Sequence, residues 1–77
     1  MPSLFSHDQF NLRHLTRREV EIMDRLVIGM TNVEIGNALG IKPKTIENNI
    51  TRIMTKVGMG GTGRRVLLAL WYEKETR

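Results

Sequence analysis

The chain has 77 residues, with 12 Lys and Arg against 8 Asp and Glu, and no cysteine. That length holds one small domain, and so short a core needs regular helix packing or a partner copy. The missing cysteine excludes a disulfide framework and thiolate metal sites, and it fits a reducing cytoplasm, the expected location.

Charge is unevenly placed. Residues 1–40 carry four basic and five acidic groups, whereas residues 41–77 carry eight basic and three acidic groups. The positive field of the second half favours a polyanionic partner, although charge alone also fits a solvated basic surface. No apolar run is long enough to span a bilayer, so no membrane partner is expected. The opening "MPSLFSHDQFNLRHL" lacks a basic start followed by an apolar stretch, and is not expected to act as a signal peptide.

Residues 1–14 show no clear period and are read as an N-terminal arm, with the domain proper over 15–77. In "LTRRE", Thr16 is followed three residues later by Glu19, a capping box ahead of an apolar run. Val20, Met23, Leu26, Val27 and Met30 share one side of the helix that follows, which is expected to end near Gly29. A second capping box, Thr31 with Glu34, opens a short helix carrying Ile35, Ala38 and Leu39 on one side. Gly40 stands where a left-handed residue ends a helix.

The third helix is expected from Pro43, suited to a first helical position because its missing N–H has no helical partner there. It should run to Val57, with Ile46, Ile50, Ile53, Met54 and Val57 as a narrow apolar stripe. Gly58 closes it, and "GMGGTG" reads as a connector. The fourth, "TGRRVLLALWYEKE", should begin near Thr62. Four helices and no strand pattern make an all-α domain. Its second and third helices, separated by Gly40-Ile41-Lys42, form a helix-turn-helix with Ile41 anchored in the core.

The outward face of the third helix carries Lys44, Asn48, Arg52 and Thr55, flanked by Thr45 and Thr51. Asn can bond bidentately to adenine in the major groove, while Arg and Lys suit guanine or phosphate. Thr hydroxyls and the amides of a helix N-terminus suit phosphates. Asn and Thr could merely solvate an exposed helix, but they are poor helix formers and a structural surface more often carries Glu, Lys or Ala. Glu47, at the edge of this face, can accept from a cytosine amino group or pair with Lys44 or Thr51.

These residues resemble the LuxR-type (GerE-type) helix-turn-helix domain of bacterial transcription regulators. The likeness is carried by Leu15-Thr16 with Glu19, Gly29, Asn32-x-Glu34-Ile35, Leu39, Ile41, Thr45-Ile46, Ile53 and Lys56-Val57-Gly58. It implies a four-helix fold whose third helix enters the major groove and whose fourth forms a dimer. It also implies that Glu47, Asn48 and Thr51 face base edges, while Lys44, Thr45, Arg52 and Lys56 make backbone or mixed contacts. Lys42, beside the restart, joins the expected DNA-binding set. Lys42 stands where the family usually has Ser or Thr, Glu47 where a basic residue is common, and Asn49 where His is common. Thr62 replaces the family's arginine after the third helix. The recognised DNA sequence is therefore expected to be unusual. Nothing resembling a receiver or ligand-sensing domain precedes the helices, so the chain is expected to resemble the stand-alone members.

On the fourth helix, Val66, Leu67 and Leu70 lie on one side, and Leu68, Trp71 and Tyr72 on the other. A small domain cannot cover both sides of its last helix, so one should meet a second copy. Leu68, Trp71 and Tyr72 are assigned to this homodimer contact. In the alternative, Leu4, Phe5 and Phe10 of the arm cover Trp71 and Tyr72 within one chain. Arg64 and Arg65 either touch phosphate or stay on the surface.

His7 and His14 stand apart, with no nucleophile–base pair and no metal-ligand spacing, so neither an enzyme nor a cofactor or metal is expected. The expected function is a sequence-specific regulator that binds double-stranded DNA as a dimer on an inverted repeat. RNA polymerase or another regulator is a further possible partner. Two alternatives stay open: an antagonist that heterodimerises with another regulator through the fourth helix, and a promoter-reading domain like the fourth region of a sigma factor.

Overall fold

The computed structural model describes residues 14–59 and 65–76. Its helices are α1 (Arg17–Val27), α2 (Asn32–Leu39), α3 (Pro43–Lys56) and α4 (Arg65–Thr76), and the described residues form no strand. The all-α, four-helix architecture is as expected. The arm through residue 13, with Leu4, Phe5 and Phe10, lies outside the described residues, as do Thr62, where the fourth helix is expected to begin, and Arg64.

Both capping boxes form. The Glu19 amide donates to Thr16 Oγ1 at 3.1 Å while the Thr16 amide donates to Glu19 Oε1 at 2.8 Å. Thr31 and Glu34 repeat the exchange at 3.1 and 2.7 Å. Each such cap stabilises its helix by about 1 kcal/mol. α3 begins differently: Lys42 occupies its cap position without a side-chain hydrogen bond, and Pro43 follows.

The first three helices end by one device. An amide just past each helix turns back to the carbonyl five residues earlier, from Met30 to Arg25 O at 3.2 Å, Ile41 to Gly36 O at 2.8 Å and Met59 to Met54 O at 2.9 Å. Between α2 and α3 the turn places Gly40 at φ 70°, a conformation costly for a residue with a Cβ. α1 stops at Val27, two residues before Gly29, because this turn captures its final carbonyls.

The core comprises Leu15, Ile22, Met23, Leu26, Ile35, Ile46, Ile50, Ile53, Val57, Leu68, Trp71 and Tyr72. The α3 stripe is as expected, with Met54 at its edge. On α1 the buried line is rotated: Ile22 is at its centre, while Val20, Val27 and Met30 pack only partly against the core. On α2, Ile35 and Gly36 are buried and Ala38 is exposed.

α4 runs back along α1. The Tyr72 hydroxyl donates to Asp24 Oδ1 at 2.6 Å, and Arg65 donates to Met30 O at 2.5 Å and Asn32 Oδ1 at 2.6 Å. Burial and the Asp24 carboxylate push the Tyr72 hydroxyl far above its ordinary range.

This packing corrects the assignment of the two sides of α4. Leu68, Trp71 and Tyr72 are only 0, 4 and 3% exposed within one chain, whereas Val66, Leu67 and Leu70 are 69, 44 and 57% exposed. The aromatic side carries the larger apolar area, and burying it inside the monomer removes more surface from water. Asp24 also gives the Tyr72 hydroxyl a partner there. The side left open is the aliphatic one.

Candidate nucleic-acid interface

With Ile46, Ile50, Ile53 and Val57 buried, α3 turns Lys44, Thr45, Glu47, Asn48, Thr51, Arg52 and Thr55 outward, and Lys42 is exposed just ahead of it. Gly36 helps set the angle at which this face is presented. A Cβ there would fall on the Ile41 carbonyl oxygen, well inside van der Waals contact. The absent side chain lets the turn close onto α2, while Ile41 packs partly against the core.

The hydrogen bonds divide this face in two. Lys44 Nζ lies 2.8 Å from Glu47 Oε1, the alternative in which Glu47 pairs along the helix. Hydrogen bonding and attraction from Glu47 raise the Lys44 ammonium above its ordinary value. Asn49 Nδ2 donates to Thr45 O at 2.8 Å, and Thr55 Oγ1 donates to Thr51 O at 3.2 Å. By contrast, the side chains of Lys42, Thr45, Asn48, Thr51 and Arg52 make no hydrogen bond among the described residues. Donors and acceptors facing water in this way can be exchanged for those of a polar ligand without breaking the fold.

Lys56 departs from the expected set. Its Nζ lies 2.7 Å from Glu19 Oε1 and 3.4 Å from the His14 carbonyl oxygen. Glu19 is 3% exposed, and a buried carboxylate requires a counter-charge. Burial pushes the Glu19 carboxyl upward. The Lys56 ammonium and the Thr16 cap outweigh that and hold it below its ordinary value. Lys56, half-buried, is thus committed to Glu19 and is not among the uncommitted side chains of the open face.

Three structural residues escape a sequence reading. Gly36 had a signal, a glycine inside a helical pattern. Arg65 and Asp24 had none, because their partners are 33 and 48 positions away in the chain. Among the described residues there is no group of three or more His, Cys, Asp and Glu that could hold a metal, and no helix is long and apolar enough to cross a membrane.

A family model described as bacterial regulatory proteins, luxR family, matches residues 13–69, the whole of the helix-turn-helix and part of α4. The chain belongs to the LuxR family. This LuxR-family domain is 44% identical over 52 residues to the transcriptional regulatory protein TdiR of Thauera aromatica, covering 68% of this chain and 23% of that protein. It is 40% identical over 53 residues to the spore germination protein GerE of Bacillus subtilis, covering 69% of this chain and 72% of GerE. The transcriptional regulatory protein LiaR of B. subtilis is 46% identical over 43 residues, 56% of this chain and 20% of LiaR. The chain thus spans under a quarter of TdiR and LiaR but most of GerE. No solved structure matches it. The family is one of DNA-binding transcription regulators, and both family and fold agree with the resemblance seen in the sequence.

Proposed function

We propose that this chain regulates transcription by inserting α3 into the major groove of double-stranded DNA, as a homodimer on an approximate inverted repeat. The observation that carries this reading is the row of uncommitted side chains on α3, Asn48, Thr51 and Arg52, exposed on a helix whose only carboxylate is already paired. Asn48 and Thr51 face base edges, and Arg52 takes a guanine or a phosphate. Lys42 and Thr45 lie at the helix start and hold the backbone. The second copy docks on Val66, Leu67 and Leu70, which form an apolar side too exposed for an isolated monomer.

A mobility shift with random duplex and with a selected site, at two salt concentrations, tests this reading. Random duplex should be bound weakly and lose affinity steeply with salt, and the selected site should keep a preference at both concentrations. Absence of binding to either duplex would reject it. That outcome would favour the antagonist reading, in which the same aliphatic side of α4 pairs with another regulator.

A further inference from the structure

Glu47 stands on the exposed side of α3, one residue before Asn48. Between two phosphate backbones an unpaired carboxylate would be repelled. Here Lys44 closes on Oε1 at 2.8 Å, so the two side chains can enter a groove as a neutral unit. Glu47 Oε2 makes no hydrogen bond among the described residues, and the Lys44 ammonium has further protons to donate.

Major-groove chemistry narrows what such a unit fits. Adenine sets its N7 acceptor beside its N6 donor on a single base, spaced for the planar amide of Asn or Gln, and thymine offers only an acceptor. Cytosine offers its N4 donor with no acceptor on the same base edge. Its paired guanine, directly alongside, offers O6 and N7 as acceptors. An acceptor next to a cation therefore matches the edge of a C·G pair in polarity and order.

We propose that Lys44 and Glu47 act together as the reader of a single C·G base pair, Glu47 accepting from cytosine N4 and Lys44 donating to the guanine. The inference rests on α3 occupying the major groove. It assigns to Glu47 a positive role in specificity and makes Lys44 part of base reading rather than a general phosphate contact.

The test is selection from a random duplex pool by the wild-type chain and by Glu47→Ala, Glu47→Gln and Lys44→Ala. Affinities are then measured on the best site with each position substituted in turn. Wild type should require one C·G pair per half-site, disfavouring the other pairs there about tenfold. Glu47→Ala should lose that preference, keep the others, and bind random duplex more tightly at low salt because Lys44 is released to phosphate. Glu47→Gln, with an amide that matches adenine, should move the preference toward A·T. Lys44→Ala should weaken the same position and leave the rest of the site. Both residues are exposed, so circular dichroism should be unchanged. If Glu47→Ala selects the same site with the same preferences, the pair is not a reader, although α3 remains one. If wild type enriches no sequence, the major-groove reading fails as well.

Discussion

Lys56, in the last turn of α3, places its Nζ 2.7 Å from Oε1 of Glu19, in the first turn of α1. The same carboxylate oxygen accepts the Thr16 amide. One buried atom thus caps one helix and fastens the far end of another.

Glu19→Gln should destabilise the domain by about 1–3 kcal/mol, less than for a fully buried pair because Lys56 keeps some contact with water. The pH dependence has a definite sign. The Glu19 carboxyl is held below its ordinary 4.5 in the fold, so its contribution is present above that value and is lost as pH falls through the lowered one. Glu34 is shifted the same way by Thr31. The difference in melting temperature between wild type and Glu19→Gln should therefore shrink below about pH 4.5. A constant difference down to acid unfolding would remove Glu19 from this role.

The two sides of α4 should respond differently. Trp71→Ala should cost about 3–5 kcal/mol and melt the domain, because the indole is core. Leu70→Ser should leave the monomer folded, since Leu70 is 57% exposed, but abolish self-association. Sedimentation and thermal melts of both variants check this. A Leu70→Ser chain that still dimerises would place the contact elsewhere.

Gly36→Ala gains up to about 1 kcal/mol in helix propensity. Its methyl group must displace the Ile41 carbonyl, and such overpacking costs roughly 1–3 kcal/mol. The clash is with backbone in a tight turn, so the net effect should be loss of stability, together with loss of DNA affinity as α3 is re-aimed. A variant as stable as wild type would show that the turn yields.

Asn48→Ala should cost roughly 1–3 kcal/mol on the best site and relax the preference at one base pair. The fold should be unharmed, alanine being the better helix former at this exposed position. Equal weakening on every sequence would mean that Asn48 is not a reader.

The starts of α1, α2 and α3, the α3 stripe and the turn at Gly40 are legible in the sequence because each depends on residues within one or two turns. Thr16 with Glu19, or Pro43 after Gly40, announces a local geometry that packing then preserves. The faces of α1 and α4 are less legible. On α1, Glu19 looks like a cap exposed to water until Lys56 arrives from 37 residues away. On α4 both sides are apolar, and periodicity cannot rank them. The choice falls to Asp24, which meets the Tyr72 hydroxyl. The exposed face shared by Lys44, Asn48, Thr51 and Arg52 is legible for the same reason as the α3 stripe, because its members lie on one helix. The engagement of Lys56 with Glu19 is not legible, because it answers a distant buried charge.

The attachment of α4 at two points has a geometric consequence. Arg65 holds its first turn to Met30 and Asn32, and Tyr72 holds its far half to Asp24. A rod pinned twice cannot pivot on the domain that carries it. If two copies join through α4, their α3 helices become the jaws of a calliper with a set opening and a set rotational phase. One base pair added between half-sites turns the second by about 35° around the duplex axis. A stiff calliper must then bend the DNA or release one jaw. Operators for this chain should consequently tolerate base changes between the half-sites far better than insertions there.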